Sequence, residues 1–252
     1  MNVEVLISCM QQDVCALIKR TGVVGCGVVI NQCDNDNKYN IGAVTVIDTP
    51  ERGLSRSRNM ALRNASGDIC LICDDDEILD KDYSSKIQKN FDDNPAAQVI
   101  AFQISDAGKI YPKRKRKIGY IGALKLASWQ LAFRRKDIID KGIKFDETLG
   151  SGVSKAGGEE NMFLYDCLKN GLRIVFVPVT IGRMIENESK WFHGFTPDYF
   201  HDRGIMTRKL MGRFSATLYA IYFLIRKYSL YRKDVDVIVA AKKMLASIYN
   251  NE

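Results

Sequence analysis

The chain has 252 residues, 46% of them hydrophobic and 27% charged, with only 5 prolines, which excludes a disordered, collagenous or low-complexity protein. Its 7 cysteines are odd in number and scattered, which argues against a secreted disulfide framework and for a reducing cytosol. The net charge of +7 lies in the tail, since residues 1–202 hold 27 basic and 27 acidic side chains while residues 203–252 hold 10 and 3. A neutral body with a basic tail speaks for a phosphate-rich surface against the tail more than for a body that grips nucleic acid.

Residues 1–10 lack the basic start and long apolar core of a signal peptide, and residues 3–8 read as a first strand. A helix is expected over 12–20, a strand over 25–30, a polar loop rich in Asn and Asp over 31–40, and a strand over 43–47. After a turn at 49–53, Ser55 can cap a helix that runs to about Ala65, with Gly67 as its stop. Residues 69–73 form a fourth strand, apolar throughout. Further on, a helix is expected over 80–91, a strand over 98–103, a basic glycine-containing loop over 111–125 and a strand over 130–133. A helix over 159–170 stops at Gly171, and a strand over 173–177 is closed by Pro178. From residue 204 onward the composition changes to long helical stretches, and 214–225 is nearly devoid of polar groups. Continuous apolar strands separated by helices predict an α/β protein with a mostly parallel, Rossmann-like sheet covered on both faces, in which ligands collect beyond the carboxyl ends of the strands.

The residues that follow the fourth strand therefore carry the most information. Asp74-Asp75-Asp76-Glu77 places four acids where a core strand ends, and such a cluster calls for a compensating cation. Asp74 and Asp76, at i and i+2, can hold one hard divalent ion while a diphosphate fills its other positions; the alternative is a solvated acidic turn. Upstream, Arg56 and Arg58 lie in the first turns of a helix, an arrangement suited to an anion, although exposed arginines on a solvated face are the ordinary explanation. Downstream, Gly157-Gly158-Glu159-Glu160 puts two carboxylates at a helix start, where the helix dipole alone also favours acids.

The order of the segments VEVLIS, GLSRSRN, GDICLICDDD, GGEENMF and VFVP resembles family 2 glycosyltransferases of the GT-A fold over roughly residues 2–180. The later ESKWFHG is similar to a feature of a bacterial branch that builds capsular or lipopolysaccharide O-chains. The resemblance implies an inverting transfer of a sugar from a nucleoside diphosphate donor, with UDP expected, to a saccharide acceptor. It implies that Asp74–Asp76 is the Asp-x-Asp motif, with Asp76 the direct ligand of Mn2+ or Mg2+ and Asp75 near the donor ribose. It further implies Ser8 and Cys9 lining the nucleotide site, Asp34 reading the base with Asp36 as alternative, and Arg58 on the nucleotide with Arg56 as second candidate. The second acid of the Gly-Gly-Glu-Glu run would be the general base. Glu160 stands where the family usually has Asp, which leaves open whether Glu159 or Glu160 approaches the acceptor. His193 is a candidate third metal ligand, with a surface histidine as the alternative reading.

The expected organisation is a catalytic domain over 1–202, split near residue 105 into a nucleotide-sugar half and an acceptor half, and a basic helical extension over 203–252. The basic run Lys113–Lys117 is either a solvated loop or a contact for the phosphates of a lipid-linked acceptor or for anionic headgroups. Cys70-x-x-Cys73 lies within a strand and reads as two buried apolar-like residues. Residues 214–225 are too short to span a bilayer and fit either a helix on the inner face of the cytoplasmic membrane or one packed on protein. Two competing functions predict different features. A sugar-nucleotide pyrophosphorylase would need a Gly-rich loop after the first strand, where Ser8 to Gln12 has no glycine. A non-catalytic module for anionic lipid or nucleic acid would leave the acidic motifs without a role.

Overall fold

The computed structural model describes residues 1–149, 157–185 and 194–250. Two compact units divide the chain, Met1–Val153 with Glu159–Asn187, and Ser154–Gly158 with Glu188–Glu252. The first unit begins with β1 (Val3–Met10), α1 (Val14–Thr21), β2 (Gly27–Gln32), β3 (Asn37–Ile41), β4 (Val44–Thr49), α2 (Leu54–Asn64), β5 (Ile69–Cys73) and β6 (Glu77–Leu79). It continues through α3 (Tyr83–Asp92), β7 (Val99–Ser105), β8 (Arg116–Ile118), α4 (Tyr120–Ala123), a 3-10 turn (Ser128–Gln130), β9 (Leu131–Arg134), α5 (Arg135–Asp140), α6 (Glu159–Lys169) and β10 (Ile174–Met184).

These strands form one sheet in the order β3-β4-β2-β1-β5-β9-β7-β10-β6, with β8 paired to β10. β1 runs parallel to β2 and β5, β2 runs parallel to β4, and β7 runs parallel to β10. β9 enters antiparallel to both β5 and β7. Every residue of β2 and β5 is buried, so both faces are covered and alternation is absent, as the apolar runs predict. The register sets Asn31 opposite both Cys9 and Asp48, and Cys73 opposite Ile7. The carboxyl ends of four parallel strands thus share one rim, and Asp74, Asp75 and Asp76 follow directly from it.

Five local expectations change, the first being that the basic loop expected over 111–125 contains β8 and α4. The loop expected over 31–40 contains β3, an edge strand hairpinned onto β4 through Gly42, whose φ of 59° suits a tight turn. β10 does not end at Pro178 but continues to Met184, with its register to β7 shifting between Phe176 and Thr180, a bulge that accommodates a residue lacking an N–H. Helix α2 is capped by Gly53, and Ser55 lies inside its first turn with its hydroxyl donated to the Leu149 carbonyl at 2.8 Å. The helix expected from residue 80 starts at Tyr83, because residues 77–79 pair with β10 as β6. Cys70 and Cys73 are both buried and unbridged, and burial pushes the Cys70 thiol up to about 12.

The second unit is helical: α7 (Pro197–Arg226), α8 (Tyr228–Tyr231) and α9 (Val237–Tyr249). Thr196 caps α7, and Gly212, with φ 74° and ψ 168°, kinks it. Phe200, Ala216, Ala220, Phe223, Leu224, Tyr231, Met244 and Ile248 make its core. At Gly204 an added Cβ would lie 2.5 Å from the Met244 carbonyl oxygen, so only glycine permits α7 and α9 to approach this closely. The segment 214–225 divides into two faces. Ala216, Ala220, Phe223 and Leu224 are buried, whereas Phe214, Leu218, Ile221, Tyr222 and Ile225 are 78%, 55%, 48%, 58% and 74% exposed. Among the described residues no helix is long and apolar enough to cross a membrane.

Candidate active site

One arginine joins the strand-end acids to the helix-start acids. Arg58, on the buried face of α2, donates from Nη2 to Asp74 Oδ1 at 3.0 Å and to Ser128 Oγ at 2.8 Å, and from Nη1 to Glu159 Oε1 at 3.2 Å. Arg58 and Glu159 are 101 positions apart in sequence, so only the closed fold brings them together. The Arg58 guanidinium lies 5.6 Å from the Phe145 ring centroid, and Phe145 stacks on Phe163 at 4.5 Å. Glu159 and Phe163 are four residues apart on α6 and so present one face. Burial works against the Arg58 charge, but Asp74, Glu159 and Glu160 outweigh it and raise its pKa. The expected open arginine at a helix start is therefore a buried strut between carboxylates. Arg56 stays half exposed, 3.8 Å from Glu147 Oε2.

The acids divide by environment. Glu159 is buried and held by Arg58. Glu160, next to it, is half-buried; burial first and then the Glu159 charge push its carboxyl up to about 7. Asp74, Asp75 and Asp76 are half-buried at the rim. Their backbone is fixed, since the Asp75 carbonyl accepts from Arg20 Nη2 at 3.2 Å and the Asp76 carbonyl from the Ile185 amide at 2.8 Å. Glu77 differs from its three neighbours. It is fully buried, and burial followed by Asp74 raises its pKa well above the usual carboxylate range. The acidic cluster at the rim is thus a triplet, and its fourth member turns into the core.

Among the described residues no three His, Cys, Asp or Glu side chains are grouped to hold a metal by themselves. Asp74 and Asp76, two hard carboxylates at the rim, are of the donor type that Mn2+ or Mg2+ prefers, and Asp74 also accepts from Arg58. His193 lies outside the described residues.

Beyond β1 and β2 lies an open cleft of about 660 Å³ lined by Gln11, Gln12, Asn31, Asp34, Tyr39 and Asp48 among others. Asp34 is 87% exposed by side chain and accepts from Arg52 Nη2 at 2.7 Å, while Arg52 Nη1 donates to the carbonyls of Cys33 and Thr49. Asp36 is exposed and does not line the cleft. Cys9 is buried beneath the cleft, where its thiol meets the Asn31 side chain, and burial pushes it up to about 12. It is a neutral support, not a lining residue; Ser8 is half-buried and likewise absent from the lining. Asn31 in turn donates to Asp48 Oδ1 at 2.9 Å. Arg52, Arg20, Asn31 and Ser128 escape sequence reasoning because each acts through a long-range contact; only Arg52 had a local signal, its place directly before Gly53.

Residues 29–155 match the family profile for glycosyl transferase family 2. The chain belongs to this family. Among solved structures, this family 2 glycosyltransferase is similar to S. aureus TarS 1–349 in complex with UDP-GlcNAc, at TM-score 0.65 and 17% identity over 98% of this chain and 82% of that one. It is also similar to TarS 1–349 in complex with UDP, at 0.59 and 18% over 93% and 74%. A third is the Pyrobaculum calidifontis mannosyltransferase PcManGT in complex with GDP-Man and Mn2+, at 0.55 and 15% over 98% and 72%. At these identities the likeness concerns the fold, which is the expected GT-A α/β arrangement with a helical C-terminal region. No curated protein sequence matches the chain.

Proposed function

We propose that this glycosyltransferase moves a sugar from a nucleoside diphosphate donor, UDP being the expected nucleotide, to a saccharide hydroxyl with inversion, in the synthesis of a bacterial surface polysaccharide. The observation that carries the reading is the Asp74–Arg58–Glu159 bridge, which ties the start of α6, where Glu160 follows Glu159, to the rim acids. The TarS complexes with UDP-GlcNAc and UDP support a uridine donor, and the family favours transfer over the pyrophosphorylase and binding-module alternatives.

Glu160 is the acceptor base. A carboxylate whose pKa lies near 7 can take a hydroxyl proton at neutral pH, and its neighbour Glu159, held on Arg58, fixes the start of α6. Inversion by in-line attack needs one base and no covalent intermediate. Asp76 with Asp74 would hold Mn2+ or Mg2+, and when bound that ion supplies Lewis-acid stabilisation of the departing diphosphate. The PcManGT complex with Mn2+ supports a divalent ion in this fold. Asp34, held by Arg52, lines the cleft suited to the base, and Asp75 is the candidate for the ribose.

The second unit adds a contact with the inner face of the cytoplasmic membrane. Its exposed stripe of Phe214, Leu218, Ile221, Tyr222 and Ile225 recurs at helical spacing, and exposed Arg213, Arg226, Lys227, Arg232 and Lys233 flank it. Sedimentation with anionic vesicles that weakens in high salt is expected, and salt-insensitive self-association without vesicle binding would replace the membrane by a second copy.

The transfer reading is tested by thermal stabilisation and donor hydrolysis over a panel of UDP-, GDP- and dTDP-sugars, each with Mn2+ and with EDTA. Selective response to one UDP-sugar with Mn2+ is expected. A response to none, or one equal in EDTA, would overturn the donor or the metal respectively.

A further inference from the structure

A second cation, Lys109, is held by the same 3-10 turn that receives Arg58. Lys109 follows β7 in a loop that is closed on itself: the Tyr111 hydroxyl donates to the Ile104 carbonyl at 3.0 Å and accepts from the Ile104 amide at 3.3 Å. Within that loop Asp106 and Gly108 have φ of 58° and 60°, so the chain turns tightly before Lys109. Stacking of Tyr111 on Phe176 fixes the loop base.

The ammonium is held in place and yet uncompensated. Lys109 Nζ donates to Gln130 Oε1 at 2.6 Å and lies 4.9 Å from the Trp129 ring centroid. Gln130 is buried, and its Nε2 donates to the Phe102 carbonyl at 2.9 Å, which turns its oxygen towards Lys109. Lys109 forms no ion pair among the described residues. Burial lowers its pKa to about 8, and the Glu160 charge acts on it in the opposite sense, so the two side chains sense each other. The same 3-10 turn serves both cations of the site, since Ser128 receives Arg58 and Gln130 receives Lys109. Arg58 has its carboxylates. A half-buried ammonium that, among the described residues, meets a neutral amide and an aromatic face still has donors for an anion.

Resting on the reading of Glu160 as the acceptor base, we infer that Lys109 and Trp129 form an oxyanion subsite that selects an acceptor carrying a phosphate or carboxylate next to the reacting sugar. The ammonium supplies the charge-assisted hydrogen bond, and the indole supplies a flat surface for the adjoining ring. A neutral acceptor would leave the cation uncompensated, so the subsite discriminates by charge. The exposed basic residues Lys113 to Lys117, farther along the same connection, are consistent with an acceptor that carries repeated anionic groups.

The test uses the full chain saturated with UDP and Mn2+, so that the donor site cannot take the probes. Glycerol 3-phosphate, glucuronate and neutral glucose are titrated by calorimetry into the wild type, Lys109→Met, Lys109→Gln and Lys109→Arg. One of the two anions should bind more tightly than glucose, which also tells phosphate from carboxylate. That preference should fall about 10-fold or more in Lys109→Met and Lys109→Gln and be partly restored in Lys109→Arg, with UDP affinity unchanged in all. A purely structural lysine would lower the melting temperature without altering the preference. Equal binding of anions in wild type and Lys109→Met, or no anion preference in the wild type, overturns the subsite. Failure of UDP itself to bind would instead overturn the donor reading.

Discussion

Two ion-pair sites border the rim of the sheet, and they differ in burial. Arg58 with Asp74 and Glu159 has side chains 4%, 28% and 9% exposed, whereas Arg52 with Asp34 has 35% and 87%. The inner site is a fixed frame: each charge has left water and depends on its partner, so loss of one strands the others. The outer site is loosely held in solvent, where a ligand can take either partner at little cost. In the proposed reading the two serve different ends, the rigid site beside the candidate base and the open one at the candidate nucleotide cleft.

The largest effect is expected inside. Arg58→Ala should lower unfolding free energy by ~3–5 kcal/mol, because Asp74 and Glu159 lose their counter-charge. Chemical denaturation checks this, and a loss no greater than that of a surface arginine would mean that the bridge is incidental. Next, Asp76→Asn should weaken UDP binding about 10-fold or more in Mn2+ and leave the residual binding in EDTA unchanged. Calorimetry with both buffers separates a metal ligand from a merely acidic turn.

Glu77 gives a smaller effect with a defined sign. Its folded pKa is raised, so the stability it contributes is fully present below the unfolded value of 4.5 and is lost as pH rises through the folded value. Glu77→Gln should therefore gain melting temperature over the wild type as pH goes from 5 to 9, and a constant gap would show that the carboxyl is not buried neutral. The smallest effect lies outside. Asp34→Asn should change stability by at most about 1 kcal/mol while altering nucleotide affinity. A larger stability loss would mean that the outer cleft is as rigid as the inner frame.

The legibility of the sequence follows the same division. β5 occupies the predicted residues 69–73 because a fully buried strand is apolar at every position. β3 is an exposed edge, and its only signal is Tyr39-x-Ile41 before Gly42. β10 runs past Pro178 because a bulge absorbs the missing N–H, which composition does not reveal. At the site, the motifs identify the acids. They do not reveal that Arg58 is buried between them, that Glu77 turns inward, or that Ser128 and Gln130 each orient a cation, since these depend on contacts between distant segments.

Burial opposes ionisation of Glu160, whereas the proposed role as acceptor base requires it. With its pKa raised to about 7, the stability linked to the protonated carboxyl is present in full below 4.5 and lost as pH rises through 7, the range in which the base becomes active. The most direct measurement is therefore the pH dependence of transfer and of UDP affinity in Glu160→Gln and Glu159→Gln beside the wild type. Wild-type kcat/KM should rise through about pH 7; Glu160→Gln should keep UDP affinity and lose transfer by about 10² or more, while Glu159→Gln should lose stability and retain the rise with pH. Full turnover by Glu160→Gln, with Glu159→Gln inactive at unchanged stability, would contradict the division of roles between the two acids.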